Sequence, residues 1–355
     1  MIKQDKSNLK LAFDEINRKF GKGTIQVLGD SRPITTNLLS TGSMLIDAAL
    51  GGGIGKGRIT EIYGVESSGK STLCLQIAAE CQHNGGKVAY IDVENALDPI
   101  YAEHLGVNVQ DLIFSQPSSA EQALDVVDIL AGTGEVDLII VDSVAALAPQ
   151  VELDGEMSDM TIGVLARLMA KACRKITGTL NQKNCAVIFI NQIREKVATG
   201  FSMGPSETTT GGRALRFFAS QRIELRKAEA IKQSGEQIGN NVKIKIVKNK
   251  IAPPMKVVVV PMIYGDGFSA KDEAIDLSIE YDFIKKSGGW YTTHDGVRMQ
   301  GKEAVKKYYE EHPELLSELT EMVRSKLLNK DTIKQEFGED EDDLTFDPAT
   351  GEVIE

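Results

Sequence analysis

The chain has 355 residues, of which 42% are hydrophobic and 26% are charged, and its net charge at pH 7 is −11. These proportions are ordinary for a globular protein that is large enough for two domains. No apolar run approaches the ~18 residues of a membrane-spanning helix, and no basic and apolar leader begins the chain, which argues against a membrane protein and a secreted one.

The negative charge is concentrated at the C-terminus. Residues 330–355 hold ten acids and two lysines, a net of −8, so the remainder carries only −3. Acidic tails of this kind are usually disordered and solvating. The alternative is a tail that competes with DNA phosphates for a basic surface, and the sequence leaves both interpretations open.

The cysteines and histidines predict no metal site. Four histidines are scattered, and the four cysteines form no CxxC pattern. The cysteines lie in apolar, helix-like or strand-like segments, which favours buried free thiols in a reducing compartment. They are Cys74, Cys81, Cys173 and Cys185.

An amphipathic helix is predicted over residues 8–20. Its apolar residues recur at helical spacing and form one stripe, and a Gly-Lys-Gly sequence then ends the helix. The stripe consists of Leu9, Ala12, Phe13, Ile16 and Phe20. This helix either packs on its own domain or serves as an arm that docks on a neighbouring subunit.

A phosphate-binding loop follows the first core strand. Residues 64–71 read Gly-Val-Glu-Ser-Ser-Gly-Lys-Ser, between a strand predicted over 59–63 and a helix. The two glycines let backbone N–H groups curl around an anion at the positive end of the helix. Lys70 should reach the β- and γ-phosphates, and Ser71 should bind Mg²⁺. The alternative, a glycine-rich turn without a ligand, fits the Gly-Lys-Ser ending and its flanking elements poorly.

Strands and helices alternate through the core. Strands are predicted over 59–63, 87–92, 138–142 and 186–191, with helices that include 71–83 and 120–130 between them. Such alternation favours right-handed crossovers and a mostly parallel sheet, with functional residues at the carboxyl ends of the strands. Beyond residue 220, antiparallel strands are predicted over 222–226, 242–247 and 255–262. A small mixed region with a helix near 314–328 follows from about residue 270.

Three polar residues at the ends of core strands are candidates for chemistry. Asp142 ends a buried strand in the manner of a Walker B acid, which holds Mg²⁺ or its water. Glu94 follows the second strand and could activate the attacking water, although a solvated acid at a strand end would look the same. Gln192 ends the fourth strand and could sense the γ-phosphate by hydrogen bonding.

Two segments without periodicity follow these strands, at 152–163 and 194–213. Long irregular loops are usually functional or disordered, so a phosphate sensor that leads into one predicts a switch. Behind the first segment, Arg167, Lys171 and Arg174 share one helical face. Such a face can track a phosphate backbone, although taken alone a solvated basic face would be the favoured interpretation.

In these motifs the sequence resembles the bacterial RecA recombinases, over about residues 5–328. The segments that carry the resemblance are 64–71, 91–101, 189–194, 207–213, 214–222 and 248–253. The resemblance implies an α/β fold, with a RecA-like P-loop ATPase core around a mostly parallel central sheet. The implied domains are an N-terminal polymerisation arm (1–32), the ATPase and DNA-binding core (33–268), a small α+β C-terminal domain (269–329) and an acidic disordered tail (330–355).

The resemblance also implies a function. The family uses ATP and Mg²⁺, is a DNA-dependent ATPase, and forms helical filaments on single-stranded DNA. It pairs that strand with a homologous duplex and exchanges strands in DNA repair. It can also stimulate self-cleavage of a LexA-type repressor in the SOS response. The expected location is the bacterial cytoplasm, with the nucleoid.

Site residues follow from the resemblance, motif by motif. The implied ATP-binding residues are Gly64, Glu66, Ser67, Ser68, Gly69, Lys70, Ser71, Thr72, Asp98, Tyr101 and Tyr264, with Ser71 and Asp142 at the metal. The implied catalytic residues are Lys70, Glu94, Gln192, Lys248 and Lys250, of which the last two would act on the neighbouring subunit. The implied DNA-binding residues are Ile162, Gly163, Arg167, Arg174, Arg194, Val197, Gly211, Gly212 and Arg213. Phe217 would lie at the subunit interface, where the arm docks. The second loop is two residues longer than is usual in the family.

Three other functions remain as alternatives. A hexameric helicase would assemble as a closed ring and translocate, whereas this chain contains no recognisable primase-binding domain. A metabolic P-loop kinase would need a lid and a compact acceptor pocket instead of two long loops. A single-strand coat protein would need neither Glu94 nor an intact phosphate-binding loop.

Overall fold

The computed structural model describes residues 2–21, 24–25, 27, 37–156, 163–195, 207–233, 235–328, 345–346 and 353–354. The chain divides into two compact units, Met1–Asn37 and Leu38–Glu355. The first unit contains helix α1 (Ile2–Phe20), which begins six residues before the predicted start and ends before Gly21. Leu9 and Phe20 of the predicted apolar stripe are exposed.

The second unit contains the other helices and the strands of the described residues. Its helices are α2 (Met44–Leu50), α3 (Lys70–His83), α4 (Pro99–His104), α5 (Ala120–Thr133), α6 (Gln150–Leu153), α7 (Val164–Lys183), α8 (Ala214–Phe218), α9 (Ala270–Glu280), α10 (Lys302–Glu311) and α11 (Pro313–Leu328), with a 3₁₀ turn at Val144–Ala146. Among the described residues, no helix is long and apolar enough to cross a membrane.

The strands follow the predicted order along the chain. They are β1 (Leu38–Leu39), β2 (Ile54–Gly55), β3 (Ile59–Gly64), β4 (Val88–Asp92), β5 (Ile113–Ser115), β6 (Leu138–Asp142), β7 (Ala186–Glu195), β8 (Glu207–Thr209), β9 (Gln221–Gln233), β10 (Glu236–Asn249), β11 (Val257–Ile263), β12 (Gly267–Phe268), β13 (Lys285–Ser287), β14 (Trp290–Thr292), β15 (Arg298–Gln300), β16 (Thr345–Phe346) and β17 (Val353–Ile354).

A large sheet organises the second unit. Its strand order is β12-β11-β10-β9-β3-β7-β6-β4-β5, with β8 paired to β7. The six strands from β9 to β5 are parallel, and β10, β11 and β12 add antiparallel pairs at one side. The predicted mostly parallel sheet is confirmed, and parallel strands place their carboxyl ends at one edge of the sheet.

Helices cover both faces of the parallel part of this sheet, which explains why β6 is a continuous apolar run up to Asp142. All five residues of β6 are buried, and Ile139 and Ile140 point to opposite cores. Helix α3 packs on one face and helices α5 and α7 pack on the other. All four cysteines are buried free thiols in these two cores, as predicted.

Strands β9 and β10 are much longer than predicted. The sequence predicted strands over 222–226 and 242–247, whereas the hairpin continues to Gln233 and resumes at Glu236. Its outer part is exposed, including Lys227 and Glu229, so the apolar alternation that marks a half-buried strand is lost there.

The two predicted irregular segments are partly regular. Strand β7 continues to Glu195 and pairs with β8, in the register Ile193↔Thr209. In the second segment, predicted as irregular over 194–213, residues 194–195 therefore pair with residues 207–208, and residues 210–213 form a turn. Residues 196–206 lie outside the described residues. The first segment overlaps the short helix α6. The paired residues lack the alternating apolar pattern from which strands are predicted, so the sequence did not reveal this hairpin.

A small mixed region follows the sheet strands along the chain, as predicted, and it packs beside the sheet. It contains a three-stranded antiparallel sheet, β13-β14-β15, and helices α9, α10 and α11. Its core includes Ile275, Val305 and Leu319. The buried carboxylate of Glu273 joins it to the larger core, since it accepts hydrogen bonds from the backbone N–H groups of Met44 and Leu45 at the start of α2. In the tail, β16 pairs with β17.

Candidate nucleotide site and the loops beside it

The phosphate-binding loop joins the end of β3 to the start of α3. Gly69 precedes the helix in the left-handed region, at φ +89°. A Cβ atom at Gly69 would lie 2.6 Å from the Met262 sulfur and 3.2 Å from the Phe268 ring. Only glycine therefore fits both the backbone angle and the space, and the loop leaves its N–H groups at the positive end of α3.

Lys70 lies across the concave side of this loop. Its Nζ donates a hydrogen bond to the Val65 carbonyl oxygen at 2.8 Å, and its side chain is buried. Burial lowers the pKa of Lys70, while the carboxylates of Asp142 and Glu94 act in the opposite direction. A desolvated cation beside helix N–H groups is an arrangement suited to phosphate.

Ser71 and Asp142 meet at the carboxyl edge of the sheet. The Ser71 hydroxyl donates to Asp142 Oδ2 at 2.7 Å, and the Tyr90 hydroxyl donates to the same oxygen at 2.7 Å. Burial raises the pKa of Asp142, and the hydrogen bonds from Tyr90 and Ser71 lower it. A hydroxyl and a carboxylate in contact form an all-oxygen donor pair, which fits Mg²⁺.

Glu94 forms hydrogen bonds that connect the carboxyl ends of three neighbouring strands, β4, β6 and β7. Its Oε1 accepts a hydrogen bond from the Ser143 hydroxyl at 2.5 Å and one from Gln192 Nε2 at 3.3 Å. The backbone N–H of Glu94 donates to the Asp142 carbonyl oxygen at 3.2 Å. The structure thus brings together the two polar residues that the sequence placed separately at strand ends, Glu94 and Gln192.

Asp92 fixes the segment that carries Glu94. Its side chain is buried and accepts hydrogen bonds from the backbone N–H groups of Ala96 and Leu97, each at 3.2 Å. Gln116, which follows β5, donates to the same carboxylate at 3.2 Å. These bonds hold the turn after β4 in one conformation.

The three residues expected at the adenine lie on different elements of the fold. Tyr101 lies in α4, and its hydroxyl is 3.0 Å from the Thr72 hydroxyl in α3, so it adjoins the phosphate-binding loop. Asp98 caps α4 and accepts from the Ile100 N–H at 2.9 Å. Tyr264 follows β11, and its hydroxyl accepts from Asn240 Nδ2 at 2.7 Å. Tyr264 is 53% exposed, which leaves its ring accessible.

The expected DNA-binding residues lie around helices α7 and α8. Gly163 precedes α7, on which Arg167 and Arg174 are exposed, and Arg213 is exposed at the start of α8. Arg194 is exposed on β7. Ile162 and Val197 lie outside the described residues.

Two glycines bring the ends of the two loops together. Gly211 and Gly212 both have positive φ, at +80° and +76°. A Cβ at Gly212 would lie 2.7 Å from the Ala166 Cβ in α7, and one at Gly211 would lie 2.8 Å from a Val144 methyl. The end of the second loop therefore packs directly on the helix that follows the first loop.

Lys248 and Lys250 lie at the end of β10, which β9 separates from the strand β3 that leads into the phosphate-binding loop. Lys248 is opposite Arg222, which is opposite Glu61 in β3, three residues before the loop begins at Gly64. Lys248 Nζ donates to the carbonyl oxygens of Arg216 and Phe217, at 2.9 and 3.0 Å. Burial lowers the pKa of Lys248, and the charges of Lys250 and Arg222 lower it further. Lys248 therefore lies level with the middle of β3, and Lys250, whose N–H donates to the Ser220 carbonyl oxygen, lies further toward the amino end of β3.

Comparison with known proteins decides the family. The model of the RecA N-terminal domain matches residues 7–269, and the model of the RecA C-terminal domain matches residues 272–328. The chain belongs to the RecA family.

Curated members of the RecA family resemble this chain over most of their length. The protein named Protein RecA from Lactiplantibacillus pentosus is 50% identical over 346 residues, which are 97% of this chain and 90% of the relative. Protein RecA from Staphylococcus carnosus is 50% identical over 321 residues, 90% of each chain. Protein RecA from Thioalkalivibrio sulfidiphilus is 48% identical over 342 residues, 96% of this chain and 99% of the relative.

Membership in the RecA family confirms the function that the sequence predicted. The protein is a homologous recombinase of the RecA type, which acts in DNA recombination and repair. It is a DNA-dependent ATPase that binds nucleotide and DNA and forms filaments.

Sequence reasoning missed several residues that form hydrogen bonds with Glu94, Asp92 or Asp142. Ser143 was visible as the hydroxyl directly after Asp142, at the end of a buried strand. Tyr90 and Asp92 were visible as polar residues inside an otherwise apolar strand, where a buried polar group requires a partner. Gln116 gave no comparable signal, because its contact with Asp92 depends on the pairing of β4 with β5.

Replacing Gly212 by alanine should destabilise the protein by roughly 2–4 kcal/mol, because it adds overlap with Ala166 to the strain of a positive φ. Gly85 offers a matched control, since its φ is +78° but nothing lies within 4 Å of an added Cβ. Gly85→Ala should cost only roughly 1–2 kcal/mol, the backbone strain alone. Urea unfolding of both variants measures the difference, and equal losses would show that the contact with Ala166 is unimportant.

Proposed function

We propose that this site hydrolyses ATP by activating a water molecule at Glu94. The observation that carries the proposal is the pair of hydrogen bonds that Glu94 Oε1 accepts from Ser143 and Gln192. Two donors on one oxygen orient the carboxylate and leave Oε2 to accept a proton from water. Glu94 is exposed at the sheet edge, so water can reach it.

Lys70 and the loop residues bind the phosphates in this proposal. Lys70 Nζ has three donors, of which the Val65 carbonyl takes one, so a phosphate oxygen can accept another. Ser67 has a positive φ of 53° and Gly69 one of 89°, an alternation that turns N–H groups toward a common centre. Tyr101 and Tyr264 are proposed to contact the adenine with their rings.

Ser71 and Asp142 are proposed to hold Mg²⁺, directly or through its water. When bound, the metal would neutralise negative charge on the phosphates. Asp142 also accepts a hydrogen bond from Tyr90, which would orient its carboxylate for this role.

Gln192 is proposed to report the γ-phosphate to the second loop. Its Nε2 donates to Glu94 at a long 3.3 Å, so a γ-phosphate oxygen can compete for this donor. Strand β7 continues from Gln192 into the hairpin with β8. Movement of Gln192 would therefore act on the strand that leads into the DNA-binding loop.

Lys248 and Lys250 are proposed to complete the site of a neighbouring subunit. Strand β9 separates them from β3, which leads into their own phosphate-binding loop, and this position supports action across a head-to-tail interface. Phe217 is 67% exposed beside Lys248, and Leu9 and Phe20 of the arm are exposed, which supports contact surfaces at these places. A LexA-type repressor stays a prediction of the resemblance.

The deciding experiment measures ATPase activity with and without single-stranded DNA, while electron microscopy follows assembly. We expect slow turnover alone, strong stimulation by DNA, and open helical filaments that require nucleotide. Turnover that is independent of DNA, together with closed rings, would instead favour a hexameric motor. Filaments without any turnover would favour a coat protein.

A further inference from the structure

A buried ion pair in the centre of the sheet has no part in the proposed hydrolysis. Glu61 in β3 is completely buried, and Arg222 in β9 is 8% exposed. Arg222 Nε lies 2.5 Å from Glu61 Oε2, and the guanidinium group stacks on the Tyr63 ring at 4.6 Å. Buried charges contribute little net stability, so this pair suggests a role beyond holding the fold together.

Asn191 connects this ion pair to the second loop. Its completely buried amide Nδ2 donates to Glu61 Oε1 at 3.0 Å and to the Thr210 carbonyl oxygen at 3.0 Å. Its Oδ1 accepts from the backbone N–H of Gln192 at 2.9 Å. One side chain thus contacts the ion pair, the backbone of the γ-phosphate sensor and the end of the DNA-binding loop.

The ion pair holds Glu61, and therefore the amide of Asn191, in a fixed position. Glu61 is held between β7 and β9, its two neighbours in the sheet, and packed interiors do not deform continuously. If Gln192 moves toward a phosphate, β7 cannot absorb the movement at Asn191, because Glu61 holds the amide. The displacement must then appear beyond Gln192, in the hairpin of β7 with β8.

We propose that Asn191, anchored by the Glu61–Arg222 pair, is a positioning residue that couples the nucleotide site to the second DNA-binding loop. The inference rests on the proposed role of Gln192 as the γ-phosphate sensor. In this role Asn191 contacts neither nucleotide nor DNA, and it acts by fixing the Thr210 carbonyl relative to Gln192. Coupling of this kind is reciprocal, so it governs both the effect of nucleotide on DNA affinity and that of DNA on ATPase activity.

The test compares two buried amides of the same sheet. Asn191→Ala removes the proposed coupling, while Gln221→Ala removes an amide that bonds Gly53 and Gly55 at the adjacent position to Arg222. For each variant, the affinity for a fluorescent single-stranded oligonucleotide is measured with and without a non-hydrolysable ATP analogue. The ratio of the two affinities measures the coupling, and it is separate from stability, which thermal unfolding measures on the same samples.

We expect the ratio to fall roughly tenfold in Asn191→Ala, the usual order for coupled sites, and to stay at the wild-type value in Gln221→Ala. Affinity for the analogue without DNA should be unchanged in both. An unchanged ratio in Asn191→Ala, or an equal loss in both variants, would overturn the proposal. If Asn191→Ala does not fold, Asn191→Ser replaces it, because the short serine hydroxyl cannot reach Glu61 and Thr210 together.

Gln192→Ala separates this inference from the proposed function. If Gln192→Ala retains the wild-type ratio, the sensor role itself is wrong and the inference falls with it. If the analogue no longer changes DNA affinity in Gln192→Ala but still changes it in Asn191→Ala, the sensor role of Gln192 stands and only the positioning role of Asn191 is overturned.

Discussion

Replacing Glu94 by glutamine is expected to lower ATP turnover by roughly 10²–10⁴-fold while nucleotide binding persists. The amide cannot take a proton from water, whereas its Oε1 can still accept hydrogen bonds from Ser143 and Gln192. The geometry of the three strand ends should therefore survive the substitution. Steady-state kcat in the presence of single-stranded DNA, and the affinity for a non-hydrolysable analogue, measure the two effects separately.

Glu103→Gln is the matched control for Glu94→Gln. Glu103 is an exposed acid in α4, nine residues further along the chain, and the same change of charge there should leave kcat at the wild-type value. Loss of analogue binding in Glu94→Gln would mean that Glu94 maintains the loop structure and is not the base. Near-normal turnover would remove Glu94 from the mechanism altogether.

The parts of this site that the sequence revealed are local in the chain. The phosphate-binding loop is eight consecutive residues, and Asp142 ends a run of four apolar residues. Since the carboxyl ends of parallel strands share one edge, the sequence alone also assigns Glu94 and Gln192 to that edge. These inferences needed only the alternation of strands and helices.

The contacts among Glu61, Arg222 and Asn191 could not be predicted from the sequence in the same way. Glu61 and Arg222 are 161 residues apart in the chain, and their contact depends on β9 lying beside β3 in the sheet. Asn191 reaches Glu61 because β7 occupies the other side of β3. In sequence, Glu61 is simply a charged residue within an apolar strand, and strand order supplies the partner.

The hairpin of β7 with β8 shows a second limit of sequence analysis. Residues 193–195 and 207–209 carry no alternating apolar pattern, because backbone hydrogen bonds pair them without burying one face in a core. Periodicity therefore assigned to an irregular segment residues 194–195 and 207–209, which the structure pairs. This pairing supports the proposed coupling, since paired strands transmit displacement better than unpaired chain.

Two inactive variants are expected to restore ATPase activity to each other when they are mixed. Lys70→Ala removes the cation proposed to contact the transferred phosphate, and the double variant Lys248→Ala and Lys250→Ala removes the cations proposed to act across the interface. Each should lose roughly 10³-fold or more in turnover alone, as loss of a charge-stabilising residue does in other phosphoryl-transfer enzymes. In a head-to-tail filament of the mixture, some interfaces between adjacent subunits (here called joints) combine an intact Lys70 of one subunit with intact Lys248 and Lys250 of its neighbour.

Random assembly of equal amounts should give such joints at about a quarter of all interfaces, because each joint needs one particular subunit on each side. Steady-state turnover of the mixture on single-stranded DNA measures their number.

The control mixes Lys70→Ala with Glu94→Gln, whose changes both lie in a chain's own site. Every joint then has a defective site, so this mixture should stay inactive. Activity of the first mixture no greater than the mean of its components would place Lys248 and Lys250 outside the neighbour's site. Recovery confined to that mixture would mean that each ATP is hydrolysed at a site built by two subunits.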